Sequence, residues 1–347
     1  MASAALSTAL PKSKSRASAS TVDPARPTAT MASDEAAAHE RSVQDWRAAE
    51  DSDFVHPDHV IPPRSYNRVE NLIIVCCHAI FLPDADSSSF PLQSPHYEPN
   101  WLLAPFQKSN PGTGKLGEHE TFLAHVKAGL DALTLGTDPE HPPSSLLVLS
   151  GGATKRSETP MSEARSYYHA ALAEELVEGH LHGGRAHKMF SKGYILLEEQ
   201  ATDSFQNLLF SILLFRQTTG DYPKHIRIIT HAFKAKRFLE LHAPTLRWPK
   251  HRVHVQGIDP VMSTTDLEST LDGEEQHGYA PWKDDPLGVG ERLSMKRKER
   301  GWNAPTGKQL VEGLEPSVRV LLGGEVPESL PWEISNPKTV NGTDAVI

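Results

Sequence analysis

The amino-acid sequence predicts an α/β fold: a doubly wound, mostly parallel sheet of about five strands, with helices on both faces. Two observations carry this expectation. From Val69 onward, short β-rich apolar runs alternate with longer stretches of helical periodicity. Strands that alternate with helices join through right-handed crossovers into a parallel sheet. The first run, Leu72–Cys77 (LIIVCC), is apolar without a break, as a strand covered on both faces should be.

The elements follow in order. A Ser/Pro-rich insert extends from the first strand to Pro99, and Trp101 and Phe106 beside it are assigned to core or lid packing. TFLAHVKAGLDAL then sets Phe122, Val126, Gly129, Leu130 and Leu133 on one helical face. Leu146–Leu149 is the second strand. Thr159 and Pro160 read as an N-cap followed by proline at the first helical position, and that helix turns Ala164, Tyr168, Ala171 and Leu172 inward. Tyr194–Leu197 is the third strand. The next helix is capped at Asp203, with Gln206 reaching back as in a capping box, and it buries Phe205, Leu208, Leu209, Ile212 and Leu213. Ile226–Thr230 is the fourth strand, with a short helix through Leu241, and Arg252–Ile258 is the fifth. Beyond Asp259 the chain is polar and acidic through Asp285, then reads as a basic helix over Gly290–Arg300 and a Pro/Gly-rich tail. The expected organisation is a tail over residues 1–64, an α/β domain over 65–262, and a partly helical extension over 263–347 that packs on the domain.

Bulk properties exclude several classes. With 35 basic and 44 acidic residues in 347, the formal charge is −9. No basic run is found outside Lys296–Arg300, which argues against a nucleic-acid partner, since phosphate binding needs a concentrated basic face. No apolar run approaches the roughly 20 residues of a transmembrane helix. The only cysteines, Cys76 and Cys77, are neighbours that point to opposite faces of a strand, a poor disulfide pair that fits a reducing compartment. Residues 1–60 have a disorder-like composition. The first 22 contain Lys12, Lys14 and Arg16 and no acid, so a cytoplasmic location is expected, with mitochondrial import as the alternative.

Ligands of open α/β sheets bind outside the carboxyl ends of the strands, so the residues just past each strand are the informative ones. They are His78, the Ser150-Gly151-Gly152 loop with Thr154 and Lys155, Glu198, Thr230 with His231, and Asp259. Two glycines let backbone amides face an anion without a Cβ in the way; a tight strand-to-helix turn is an equal reading of the same residues. Glu163 and Glu198 are candidate general bases, although Glu163 also suits a helix N-terminus and Asp203 a cap. Two decoys are set aside. Ser109–Gly117 lacks the first glycine and the final hydroxyl of a phosphate-binding P-loop. His180, His182 and His187 lie in a glycine-rich loop without an accompanying acid or cysteine, so no metal site is expected.

These residues resemble a known pattern. Ser150-Gly151-Gly152 is followed by Ser162-Glu163-Ala164, then by Glu198, Ala201, Ser204 and Asn207, then by Thr230, Phe233 and Arg237. In this order and spacing the chain resembles the SanA/YdcF/ElyC-like domain of unknown function, most of all its fungal branch, over roughly residues 70–260. Asp203 stands where that family has Asn, Gln206 where it has Glu, and Lys234 where it has His. The lysine keeps a cation but weakens any histidine-based acid–base role there. The resemblance implies a Rossmann-like fold and one shared polar site, without a reaction. The expected catalytic residues are Glu198, Glu163 and His78. The expected ligand contacts are Ser150, Gly151, Gly152, Thr154, Lys155, Asp203, Ser204, Asn207, Thr230, His231, Lys234 and Arg237. The ligand is expected to be an anionic, nucleotide-like or phosphorylated small molecule, S-adenosylmethionine being one candidate. The protein is then a transferase or hydrolase; the alternative is a non-catalytic sensor or scaffold that uses the same cleft.

Overall fold

Strand order is what places the site. A computed structural model of the chain describes residues 66–83, 93–135, 143–180, 183–303 and 310–333; the expected tail lies outside them. Its strands are β1 (Asn71–Cys76), β2 (Ile80–Phe81), β3 (Trp101–Leu102), β4 (Ser145–Ser150), β5 (Ile195–Glu198), β6 (His225–Thr230) and β7 (Val253–Gly257). Five of them form one sheet in the order β5–β4–β1–β6–β7, every adjacent pair parallel. The chain builds outward from β1 through β4 to β5, then crosses back to lay β6 and β7 on the other side of β1. The order therefore reverses between β1 and β6, and such a reversal opens a crevice at the carboxyl edge.

Helices cover both faces. They are α1 (His119–Thr134), α2 (Glu163–Val177), α3 (Gly184–Ser191), α4 (Ser204–Thr219), α5 (235–245), α6 (264–284), α7 (Glu291–Glu299) and α8 (Pro316–Leu322). Alternate residues of β1 serve opposite layers. Ile73, Val75 and Cys77 pack with α1 and α2 through Phe122, Val126 and Tyr167, whereas Leu72, Ile74 and Cys76 pack with α4 through Leu208, Leu209 and Ile212. This two-sided burial is why the strand is apolar throughout.

Local detail departs from the sequence reading at several points. The cap of α2 is Ser162, whose Oγ accepts the Arg165 amide at 3.0 Å; Thr159 instead accepts the Met161 amide. Asp203 caps α4 as expected, accepting the Gln206 amide at 2.9 Å. Gln206 reaches past the cap, to the amide and hydroxyl of Thr202 at 2.8 and 2.7 Å. Trp101 is buried, but Phe106 is 72% exposed and belongs to no core. The Ser109–Gly117 segment is a turn closed by an Asn110–Lys115 bridge, its lysine held by the Phe106 carbonyl and Glu118.

The elements least specified by the sequence lie past residue 262. The stretch read as polar and acidic, within a partly helical extension, is α6, which contains a π-turn at Glu274–Tyr279. α5 carries another at Phe238–His242. Leu314, Val318, Leu321, Leu330 and Trp332 join the same buried layer as α4, and Trp282 stacks on Phe205 with centroids 5.8 Å apart. The chain from Arg64 onward is one compact unit, so the presumed extension completes one face of the sheet. No helix among the described residues is long and apolar enough to cross a membrane.

Candidate functional site

His78 leaves β1 and Thr230 ends β6, so the two meet across the reversal point. His78 Nε2 lies 3.1 Å from Thr230 Oγ1, and its Nδ1 lies 3.3 Å from the Lys234 ammonium. A lysine donor makes Nδ1 the acceptor, which leaves the ring proton on Nε2, facing the threonine. Burial, then the charge of Lys234, hold His78 well below the usual histidine range. Lys234 sits in the short turn after β6 because Asp259, past β7, accepts the amides of Ala232 and Phe233 at 2.6 and 3.4 Å. Burial and the neighbouring Arg237 push the Lys234 ammonium down to about 8. The acid–base weakness expected of lysine at this position is thus largely removed. Among the described residues, no carboxylate lies within ion-pair distance of Lys234.

Behind this pair lies a buried histidine cluster. His231 stacks on Phe233 with centroids 4.7 Å apart, and its ring is 4.8 Å from that of His78 and 5.0 Å from that of His125. His125 donates Nε2–H to the Ile258 carbonyl at 2.8 Å. Neither ring nitrogen of His231 has a hydrogen-bond partner. Glu118, raised by its own burial, approaches His231 Nε2 only to 3.7 Å. Both buried histidines are held neutral by desolvation.

The β4–β5 side is closed by internal bonds. Ser150 donates to Glu198 Oε2 at 2.6 Å and meets Asn207 Oδ1 at 3.2 Å. Glu198 Oε1 accepts the Gln200 and Ala201 amides at 2.7 and 3.0 Å. Burial raises Glu198 to about 7 despite these bonds. With both oxygens engaged inside the chain, Glu198 anchors the loop after β5, and no lone oxygen faces a ligand as a base or ribose acceptor.

The glycine loop is closed as well. The Gly151 amide donates to the Glu198 carbonyl at 2.9 Å, and the Gly152 amide to the Ala201 carbonyl at 2.7 Å. Neither glycine needs a positive φ. A Cβ on Gly151 would lie 2.8 Å from Glu163 Cβ, and one on Gly152 would lie 2.9 Å from the Ala201 carbonyl oxygen. The glycines permit close packing of loop on loop, and the expected donation of their amides to an anion is corrected.

Several other predicted contacts are also spoken for. Thr154 donates to Glu163, which burial raises and Arg300, Lys234 and Lys155 lower. Ser204 bonds the buried His242 at 2.8 Å and so faces the core layer. Asp203 pairs with Arg297 of α7 at 2.6 Å, and Arg300 donates to the Thr202 carbonyl at 2.8 Å. Arg237 pairs with Glu274 of α6 at 3.1 Å. His78, Thr230, His231, Lys234 and Arg237 come together past the ends of β1 and β6, while Ser150, Glu198 and Asn207 bond one another beside them. Asn207 also bonds the Cys76 thiol, which burial pushes up to about 12, far from a usable nucleophile.

Sequence reading missed Glu118, His125, Glu274, Arg297 and Arg300. His125 was findable: it falls three residues after Phe122 and four before Gly129, inside the apolar stripe of α1. Glu274 carried no signal within an acidic run. Of the other histidines, His182 lies outside the described residues. His180 does have acids beside it: with Glu175 of α2 and Glu178 just past its end, it forms a group whose ligand atoms lie within 4.8 Å of one another.

No family model matches the chain, and no solved structure matches it. It is similar to the uncharacterized protein YOR238W of Saccharomyces cerevisiae, with 27% identity over 263 residues, covering 66% of this chain and 82% of the yeast protein.

Proposed function

We propose that the chain is SanA/YdcF-like and that its crevice between β1 and β6 binds a phosphorylated or nucleotide-like anion. The carrying observation is Lys234: a half-buried ammonium at the reversal point without a carboxylate partner, next to a neutral His78. Desolvating a cation without its counter-ion is costly, and a ligand anion supplies what the chain does not. A cationic sulfonium is a poor match to Lys234 and Arg237 together, so S-adenosylmethionine ranks below a phosphorylated ligand. If the protein turns its ligand over, Lys234, pushed down to about 8, is the group suited to move a proton, and His78, with both ring nitrogens engaged, holds it in place. Glu198 is not so suited, because its oxygens are engaged. That same engagement favours the second reading, a non-catalytic sensor. Two buried free thiols suit a reducing location such as the cytoplasm.

The test combines mass spectrometry of the copurified small molecule with calorimetry of inorganic phosphate, pyrophosphate and nucleotides. Lys234→Met is expected to weaken anion binding by at least about tenfold, equivalent to ~1.4 kcal/mol. Binding by the wild-type chain should fall as pH rises through about 8, where Lys234 loses its proton. Wild-type affinity in the Lys234→Met variant, or no binding of any anion, refutes the reading. Turnover of the bound ligand separates enzyme from sensor.

A further inference from the structure

The proposed crevice already contains a carboxylate supplied by the chain itself. Arg237 is 9% exposed, and Glu274 of α6 approaches it twice: Oε1 is 3.1 Å from Nε and Oε2 is 3.1 Å from Nη2. Glu274 opens one of the two π-turns, and such turns recur at functional sites in helices. The other π-turn is in α5, and Tyr279 Oη donates to Glu240 at 2.8 Å to tie the two together. Gly278 makes the room, since a Cβ there would run into the Glu274 carboxylate. The fit is imperfect. Arg237 Nε and Glu274 Oε1 are close but not aligned as a hydrogen bond, and each is buried with no other partner. Lys234 feels the charges of both Arg237 and Glu274.

Arg237 and Glu274 pair with each other, whereas Lys234 has no carboxylate within ion-pair distance among the described residues, which leaves its positive charge unmatched. We infer that Glu274 determines which head group the crevice accepts: a phosphate monoester dianion, which displaces Glu274 from Arg237 and neutralises Lys234 as well. This rests on the anion-binding reading above. A monoanion that replaced Glu274 would leave the crevice one charge short. It would also compete with a tethered carboxylate, whose effective concentration is in the millimolar range or above. A dianion matches both cations at once, with an oxygen for the misaligned Nε–H. Displacement of Glu274 removes one of the anchors of the turn Glu274–Tyr279, leaving the Tyr279–Glu240 bond and the Arg237 bond to the Gly278 carbonyl, so occupancy of the crevice is coupled to loosening of α6.

The experiment uses the full chain as wild type, Glu274→Gln and Lys234→Met, titrated with methyl phosphate and with dimethyl phosphate at a pH where methyl phosphate is a dianion. Wild type is expected to prefer methyl phosphate by at least about tenfold. Glu274→Gln is expected to bind both esters more tightly, with the larger gain for dimethyl phosphate, so that the preference narrows. Hydrogen exchange of wild-type amides 274–279 is expected to quicken on adding methyl phosphate; this measurement decides the matter if Glu274→Gln fails to fold. Unchanged or weaker binding of methyl phosphate by folded Glu274→Gln overturns the inference, as does unaltered exchange at 274–279. If wild type binds in a Lys234-dependent way while Glu274→Gln behaves identically, only this inference falls. If no chain binds either ester, the anion-binding reading falls with it.

Discussion

Glu198 illustrates how a residue changes meaning between sequence and structure. At the end of a strand it had no local reason to be acidic, yet it accepts two loop amides and the Ser150 hydroxyl. Its folded pKa of about 7 lies above its ordinary value of 4.5. The protonated form is therefore favoured by folding, and stability falls as pH rises from about 4.5 through 7. Glu198→Gln escapes that loss. Chemical denaturation at pH 5 and at pH 8 should find the variant gaining on wild type at the higher pH, by roughly 1 kcal/mol or more. No pH-dependent difference between the two would show that burial does not tune this carboxyl. Gly152 offers a second test. A Cβ facing the Ala201 carbonyl must push one loop from another, so Gly152→Ala should destabilise by about 1–3 kcal/mol in a denaturant titration. A neutral result would mean that the loops can separate at no cost.

At the scale of elements, the five strands of the parallel sheet and the helices α1, α2, α4 and α5 could be read from periodicity, because a doubly covered sheet needs uninterrupted apolar strands and one-sided helices. Asp203 was legible as a cap for the same reason: the amides it accepts are local. Its other partner was not, since Arg297 arrives from 94 residues away and no sequence pattern records such a contact. Both side chains of that pair are 10% exposed. Arg297→Met should thus leave Asp203 without its partner ion and cost about 3 kcal/mol. Adding Asp203→Ser, which keeps a capping oxygen, should recover part of that loss in thermal denaturation. Full additivity of the two changes would show that the ion pair contributes no coupling. The candidate site was half legible by this logic. His78, Thr230 and Lys234 follow from strand-end position, whereas Glu274 and Glu118 follow only from how distant segments pack.

For the whole molecule, residue 262 marks a change in polarity within one compact unit. α6 buries no residue of its first stretch, Thr264–Gly273, and that polarity hid a segment whose later residues, Tyr279 and Trp282, are buried. The other end of the chain makes an opposite prediction. Residues 1–60 carry few periodic apolar residues to offset an ordering cost of about 1–2 kcal/mol each. A chain that begins near Arg64 should therefore unfold at the same midpoint as the full-length protein. A lowered midpoint would mean that the first segment contributes contacts to the fold.

The adjacent cysteines at the end of β1, Cys76 within it and Cys77 just past it, bring the two layers within reach of one probe. Cys76 belongs to the layer of α4 and Cys77 to that of α1 and α2, and the chain has no other thiol. A thiol reagent can attack either only when its own layer opens, so Cys77→Ala leaves a clock for one face and Cys76→Ala a clock for the other. Equal labelling rates would mean that the sheet sheds both coats in one cooperative event. Unequal rates would name the coat that comes off first, and so the side from which the crevice at the end of β1 is most readily exposed.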